Sequence, residues 1–240
     1  MNSPRTSSRA TSIQRATPPT LWSGQALHFG CLACLVTYLW LQWHWIGQPQ
    51  PLAFWIAVAF PICHQVFVWI AWRLELRSSA VSRTLGFGPY LAIFFVLFTG
   101  RFVSLVVLGW MDLGILLAPS PPLQITLTCL LALPGIYALY SVARYFGLKR
   151  AAGADHFFVS YRSKPLVKEG IFRFTNNGMY VFAFLLFWAI AIGFDSPAAL
   201  TVAAFSHVYI WVHFFSVEKP DIDFLYCSRS TGQGSEHQQR

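Results

Sequence analysis

The sequence predicts an all-α integral membrane protein, a polytopic bundle of about six transmembrane helices with both termini in the cytoplasm. Three observations lead to this fold class. Hydrophobic residues make up 55% of the chain and charged residues 11%, whereas a typical soluble protein has about 25% charged residues. Apolar runs of spanning length recur along the chain, and the cations lie on one side of them.

The apolar runs predict the number of helices. A helix needs about 20 apolar residues to cross a hydrocarbon core that is about 30 Å thick. Six runs approach or exceed this length, at residues 25–46, 51–72, 88–111, 122–145, 178–194 and 197–217. Asp195, Ser196 and Pro197 join the last two runs, and this turn is so short that we expect a C-terminal helical hairpin.

The positions of the cations predict the orientation. Every Lys and Arg except Arg101 lies before the first run, between the second and third, at or after the end of the fourth and before the fifth, or after the sixth. Cytoplasmic loops carry an excess of Lys and Arg, so both termini and segment 146–177 are expected in the cytoplasm. This topology explains the net charge of +8 without a nucleic-acid partner, and the basic rim favours anionic lipid.

Residues 1–20 differ in composition from the rest of the chain. They are rich in Ser, Thr and Arg, contain no acid and have few large apolar side chains. We therefore expect a disordered basic tail.

Cys31 and Cys34 have a spacing that is typical of redox and zinc sites. They lie in an apolar run without a second pair of ligands, so the sequence favours packing thiols and no metal site.

Three polar residues interrupt the apolar runs. Arg101 lies near the centre of the third run, where a charge costs roughly 3 kcal/mol on insertion scales. His64 and Gln65 lie midway along the second run. Two interpretations stay open: these side chains contact a lipid phosphate or another part of a substrate, or they form a hydrogen-bonded cluster between helices.

The richest polar stretch is KEGIFRFTNNGMYVF, residues 168–182, at the start of the fifth run. The predicted hairpin brings Asn176, Asn177 and Tyr180 level with Glu218 at the end of the sixth run. On that last helix, the spacing of His207, Trp211 and Glu218 places them on one face, together with Phe214.

This C-terminal region resembles the integral-membrane methyltransferases, which include the phospholipid (phosphatidylethanolamine) N-methyltransferases and the isoprenylcysteine carboxyl methyltransferases. The family pattern is LV-x-x-G-I/P-F/Y-R-x-x-x-N-P-M-Y, then a helical hairpin, a Glu pair and Pro-Asp. The matching residues are Leu166, Val167, Gly170, Ile171, Phe172, Arg173, Asn177, Met179, Tyr180, Glu218, Pro220 and Asp221. An earlier segment, with Gly153, Asp155 and His156, is similar to the family's glycine-containing cofactor segment.

Two comparisons refine the resemblance. The isoprenylcysteine branch has Arg-His-Pro where this chain has Asn176-Asn177-Gly178, so the chain is more similar to the phospholipid branch. The family's Pro before Met-Tyr is Gly178 here, and the second acid of its Glu pair is Lys219.

The resemblance implies S-adenosylmethionine as cofactor, and the residue chemistry suggests how it is held. Glu218 suits the ammonium group, and Arg173 or Lys168 suits the carboxylate. Asn176 and Asn177 suit the ribose or the adenine edge, and the aromatic faces are provided by Phe172, Tyr180 and Trp211. Gly153 belongs to the expected cofactor site. An alternative for the Asn pair is a helix N-cap.

The expected reaction is methyl transfer to a lipid head-group amine of the phosphatidylethanolamine type. An alkylammonium with a pKa of about 10 must lose its proton first, and the candidate bases are Glu218, His207 and His156. Arg101 and Trp211 are the candidate substrate contacts. The alternatives are transfer to a thiol or a carboxylate such as prenylcysteine, or a scaffold without catalytic activity.

Three regions follow from these predictions. Residues 1–20 form the tail, residues 21–145 form a four-helix transmembrane region, and residues 146–240 form the methyltransferase core. The predicted partners are the bilayer and a membrane lipid substrate, and the active site is expected on the cytoplasmic face.

Overall fold

The computed structural model describes residues 17–114 and 120–226, and all regular structure in these residues is helical. The predicted all-α class is confirmed. Most of the predicted tail, residues 1–20, lies outside the described residues, as does the end of the chain from residue 227.

Six longer helices make up the bundle: α1 (Gln25–Trp45), α2 (Pro51–Ser78), α3 (Phe87–Met111), α4 (Pro121–Phe146), α5 (Met179–Gly193) and α6 (Pro197–Tyr226). All of these except α5 are long and apolar enough to cross a membrane. The region predicted as the fifth span is therefore a shorter apolar helix. The five longer helices indicate an integral membrane protein.

Proline and a buried carboxylate define several helix starts. Pro51, Pro121 and Pro197 each occupy the first turn of their helix, where the missing N–H is not needed. At the start of α6, the Asp112 carboxylate accepts hydrogen bonds from the Ser196 hydroxyl (2.7 Å) and the Ala198 N–H (3.0 Å). Asp112 follows the last residue of α3, so this acid ties the end of one helix to the start of another.

Helix α6 occupies the centre of the bundle. It packs against α1, α2, α3 and α5, while α4 packs mainly on α5. The main core cluster includes Leu39 of α1, Phe54 of α2, Leu105 of α3, Phe187 of α5 and Tyr209 of α6, all almost fully buried.

Helices α5 and α6 contact each other with their residues in opposite chain order. The Trp188 indole N–H lies 3.0 Å from Nδ1 of His207. Nearer the end of α6, Tyr180 hydrogen-bonds Glu218. The start of α5 therefore meets the end of α6.

The segment between α4 and α5 folds over the end of the bundle that carries most of the described cations. It contains the short helices Leu148–Ala151, Ala154–Phe157, Val159–Arg162 and Gly170–Arg173. The Trp72 indole donates to the Tyr90 hydroxyl (2.8 Å), which donates to the Ala152 carbonyl (2.7 Å). This chain of bonds fixes the connecting segment against α2 and α3.

Candidate active site

A cavity of about 490 Å³ lies at the cation-rich end of the bundle, beneath the connecting segment. Its walls hold two acids (Asp155, Glu218), two cations (Arg150, Lys164) and two amides (Asn176, Asn177). Trp72, Phe146, Phe172, Tyr180, Phe214 and Tyr226 provide aromatic surface. The site thus combines both charge signs, amide groups and aromatic faces in one enclosure.

Three π-helical turns contribute to this cavity. They span Val142–Phe146 at the end of α4, Met179–Ala183 at the start of α5 and Phe214–Glu218 within α6. Each includes at least one cavity-lining residue: Phe146, Tyr180 and Glu218 are examples. Such turns are rare and often occur at functional sites, and here all three converge on the same space.

Glu218 and Tyr180 form the link between α5 and α6 at the cavity. The Tyr180 hydroxyl donates a hydrogen bond to the half-buried Glu218 carboxylate. The Tyr180 ring packs edge-to-face on Trp211, with ring centroids 5.7 Å apart, and against Phe214 at 5.6 Å. These contacts hold the carboxylate at the cavity wall and leave its remaining lone pairs available.

The Asn pair precedes α5. The Asn177 carbonyl accepts from the N–H groups of Tyr180 and Val181, at 3.0 and 3.1 Å, but no side-chain cap hydrogen bond is found at this helix start. The backbone of Asn177 therefore begins the helix, while its side chain lines the cavity. Side-chain capping, the alternative for this pair, does not occur in this arrangement.

Gly178 stands where the family pattern has proline. Its φ of −53° is compatible with proline, but a Cβ atom at this position would lie 2.9 Å from Cγ2 of Ile171. The close approach of buried Ile171 explains why a residue without a side chain fits here.

A second wall of the cavity comes from α2. The Trp72 indole stacks on the His156 imidazole, with ring centroids 4.1 Å apart and planes 20° from parallel. Gly153 has a φ of +81°, and a Cβ atom there would lie 2.4 Å from the indole. Only glycine allows both this backbone conformation and this approach.

Buried charges surround His156. Its Nδ1 lies 3.0 Å from the Asp155 carboxylate, and its Nε2 lies 3.4 Å from the Asp221 carboxylate. Asp221 in turn lies 3.1 Å from Nε of Arg73, and both side chains are fully buried. The Tyr226 hydroxyl donates to Asp155 at 3.0 Å.

The charge states follow from these contacts. Burial lowers the pKa of His156, but the carboxylates of Asp155 and Asp221 outweigh it and raise the pKa to about 9. Burial raises the pKa of Asp155, but the hydrogen bonds from His156 and Tyr226 bring it below its usual value. At neutral pH His156 is therefore a cation and Asp155 an anion.

Residues 123–229 match the family model described as phospholipid methyltransferase. This match confirms the predicted resemblance to the integral-membrane methyltransferases and implies a methyltransferase of the membrane. It includes α4, the connecting segment, α5 and α6, and thus most of the cavity. No curated protein and no solved structure matches the chain.

Within the matched segment, the structure brings together six of the predicted site residues at the cavity. They are Gly153, His156, Asn176, Asn177, Tyr180 and Glu218. Phe172, expected to provide an aromatic face, also lines it.

Other predicted site residues lie outside the cavity lining, and their roles stay predictions. Arg173 is exposed on the surface, and Trp211 packs behind Tyr180. His207 is engaged between Trp188 and Phe184, deeper in the bundle.

Arg101 does not line the cavity either. It is buried, with its guanidinium 5.1 Å from the Phe184 ring centroid and 5.6 Å from that of Phe187. One guanidinium nitrogen lies 3.4 Å from Nδ1 of His64. Nε and Nη2 of Arg101 and Nε2 of Gln65 have no hydrogen-bond partner among the described residues, so both interpretations of the polar residues in the spans stay open.

The structure also identifies cavity residues that sequence reasoning missed. Arg150 and Lys164, rather than Arg173 and Lys168, are the Arg and Lys side chains that line the cavity. Trp72 lies in α2, outside the matched segment. A basic connecting segment was visible in the sequence, but which of its cations turn inward depends on the fold.

Lys219 replaces the second acid of the family's Glu pair without entering the cavity. Its ammonium lies 2.9 Å from the Asp223 carboxylate, and both side chains are more than half exposed. Glu218 therefore lines the cavity, whereas Lys219 does not.

Proposed function

We propose that the protein is an S-adenosylmethionine-dependent methyltransferase that methylates a lipid head-group amine of the phosphatidylethanolamine type. The observation that carries this proposal is the Glu218–Tyr180 pair, which faces a mixed polar and aromatic cavity within the segment matched by the phospholipid methyltransferase family. The cavity lies at the cation-rich end of the bundle, which we assign to the cytoplasmic face.

The chemistry of the lining fits the proposed cofactor. The cofactor contains an ammonium, a carboxylate, a ribose, an adenine and a sulfonium. Glu218 suits the ammonium, and Arg150 or Lys164 suits the carboxylate. The amides of Asn176 and Asn177 suit the polar edges of the remainder.

The aromatic lining suits the flat and cationic parts of the same molecule. Phe172, Phe214 and Trp72 offer ring faces within the cavity, and such faces attract both an adenine and a sulfonium. When bound, S-adenosylmethionine would supply a methyl group on a positively charged sulfur.

Glu218 is the acid that we assign to ligand contact. Asp155 already pairs with His156 and Tyr226, whereas the Glu218 carboxylate accepts a hydrogen bond from neutral Tyr180. A half-buried carboxylate without a paired cation favours a cationic ligand. The same carboxylate is the first candidate to take the proton that the acceptor ammonium must lose.

His156 has a different proposed role from the base suggested by its sequence position. Because its pKa is raised to about 9, it already carries a proton at neutral pH and has little capacity to accept another. We propose that it positions the Trp72 face of the cavity.

The test uses purified protein in lipid nanodiscs with S-adenosylmethionine that carries a labelled methyl group. The nanodiscs contain phosphatidylethanolamine, and parallel samples offer a prenylcysteine or a small thiol. Glu218→Gln is compared with Asp223→Asn, a matched control in which an exposed acid of the same helix undergoes the same change.

We expect label in phosphatidylethanolamine with the native protein and with Asp223→Asn, and loss of both cofactor binding and label with Glu218→Gln. Label in prenylcysteine or thiol would overturn the proposed acceptor. Normal cofactor binding without turnover in Glu218→Gln would assign Glu218 to proton removal instead. Absence of cofactor binding to the native protein would refute the proposed function.

A further inference from the structure

Arg73 lies outside the segment matched by the family and is one of the largest fully buried side chains. It occupies α2, next to Trp72 of the cavity wall. Burying a guanidinium is costly unless its charge and its donors are satisfied. The contacts of Arg73 therefore indicate what it stabilises.

Arg73 connects three parts of the chain at the edge of the cavity. Its Nε lies 3.1 Å from the Asp221 carboxylate. Its Nη1 donates to the Thr20 carbonyl at 3.2 Å, and its Nη2 donates to the Val217 carbonyl at 3.3 Å. Val217 directly precedes Glu218, in the π turn that places this acid at the cavity.

Asp221 links Arg73 to the cavity wall that His156 and Trp72 form. Its second carboxylate oxygen lies 3.4 Å from Nε2 of His156, and the His156 ring stacks on Trp72. Asp221 belongs to the Pro-Asp motif of the resemblance, yet it is fully buried and does not line the cavity. Its contacts assign it to this ion-pair chain and not to a ligand.

We infer that Arg73 is a positioning residue of the active site: it fixes Glu218 through the Val217 carbonyl and fixes the His156–Trp72 wall through Asp221. Helix α2 thereby completes a site that the segment matched by the family does not contain by itself. This inference rests on the proposed function only for the choice of S-adenosylmethionine as the binding probe.

The charges of this group balance. Arg73 and protonated His156 are cations, and Asp155 and Asp221 are anions. Removal of Arg73 alone leaves Asp221 with one partner and a buried excess of negative charge. Removal of both Arg73 and the Asp221 charge restores the balance, which provides a specific rescue.

The experiment compares Arg73→Met, Arg73→Lys, and the double variant Arg73→Met/Asp221→Asn with Arg77→Met. Arg77 is a matched control because it lies one turn further along α2 and is exposed. The first measurement is the affinity for S-adenosylmethionine in nanodiscs. The second is the titration of His156 in cofactor-free protein, by NMR of ¹⁵N-labelled histidine, with the signal assigned by its loss in His156→Gln.

We expect Arg73→Met to weaken cofactor binding roughly tenfold to 100-fold, because the loss of one hydrogen bond to a charged group such as Glu218 has an effect of this size. Arg73→Lys should lose less, since it keeps a charge beside Asp221. The double variant should recover part of the affinity, because coupled partners are non-additive. Arg77→Met should bind as the native protein does.

The titration separates this inference from the proposed function. In Arg73→Met the pKa of His156 should rise, since Asp221 then interacts with His156 alone, and it should fall again in the double variant. Identical titrations in Arg73→Met and Arg77→Met would overturn the inference, whether or not the native protein binds the cofactor. If Arg73→Met does not fold, the double variant provides the test: without the Asp221 charge beside Nε2 of His156, the pKa of His156 should fall below its native value, and a titration identical to that of Arg77→Met would overturn the inference.

Discussion

The contact between Gly153 and Trp72 allows a quantitative prediction. Gly153 has a φ of +81°, and a Cβ atom there would lie 2.4 Å from the Trp72 indole. Gly153→Ala introduces two separate costs. The left-handed backbone conformation costs an L-residue about 1–2 kcal/mol, and displacement of a packed ring costs about 1–3 kcal/mol more.

Gly47→Ala separates these two costs. Gly47, two residues after α1, has a similar φ of +87°, but a Cβ atom there would meet nothing within 4 Å. It should therefore lose only the backbone contribution. We expect the free energy of unfolding to fall by about 2–5 kcal/mol in Gly153→Ala and by about 1–2 kcal/mol in Gly47→Ala.

The assay is denaturant unfolding in detergent micelles, together with cofactor binding. Because Trp72 lines the cavity, Gly153→Ala should also weaken binding of S-adenosylmethionine, whereas Gly47→Ala should not. Equal losses of stability in the two variants, or unchanged binding in Gly153→Ala, would refute the assignment of Trp72 as a wall fixed by this glycine.

Four further predictions concern separate parts of the molecule. Asn177→Ala should weaken cofactor binding by roughly 1–3 kcal/mol with little change in thermal stability; a thermal defect with normal binding would restore the capping interpretation. Arg101→Met should leave stability unchanged or raised, because a buried charge without an acidic partner is replaced by an apolar side chain; loss of turnover would instead support a substrate contact. Asp112→Ala should lower the free energy of unfolding by roughly 1–3 kcal/mol, since it removes the acceptor of the Ser196 hydroxyl and the Ala198 N–H. Its cofactor affinity should be unchanged, and an unchanged free energy of unfolding would contradict this prediction. His156, with its pKa raised to about 9, should contribute about 3 kcal/mol to the free energy of unfolding. This contribution should be complete below pH 6.5 and should be lost as the pH rises through 9. In His156→Gln the free energy of unfolding should lack this dependence on pH.

Sequence reasoning predicted those parts of the site that depend on the chain's local pattern. Hydropathy identified the five helices that are long enough to span, because about 20 apolar residues are required for a span. The short connection at Asp195 and Ser196 was enough to bring Tyr180 and Glu218 together. These residues lie 38 positions apart, and a single turn accounts for the whole approach.

The contributions of α2 to the site were not predictable in this way. Trp72 meets His156, and Arg73 meets Asp221, across several intervening helices. Tryptophan and arginine near the end of an apolar run are also typical of a membrane interface, so their types indicated anchoring rather than a site. Only the packing of α6 against α2 reveals that Trp72 and Arg73 also contribute to the site.

The choice among the cations likewise depended on tertiary structure. Arg150, Lys164, Lys168 and Arg173 are equivalent by composition and all lie in the connecting segment. The fold of this segment places Arg150 and Lys164 at the cavity rather than Lys168 and Arg173. Helices of four residues have no periodic signal from which such directions can be read.

The three π turns have a consequence for the comparison of this chain with its relatives. A π turn contains one residue more than an α turn, and each residue in a helix rotates the following side chains by about 100°. Deletion of one residue from Phe214–Glu218 would leave the composition of α6 almost unchanged, yet it would rotate Glu218 away from Tyr180. In an alignment, a gap of one position at this point therefore signals loss of the site even when the Glu-x-Pro-Asp motif is intact.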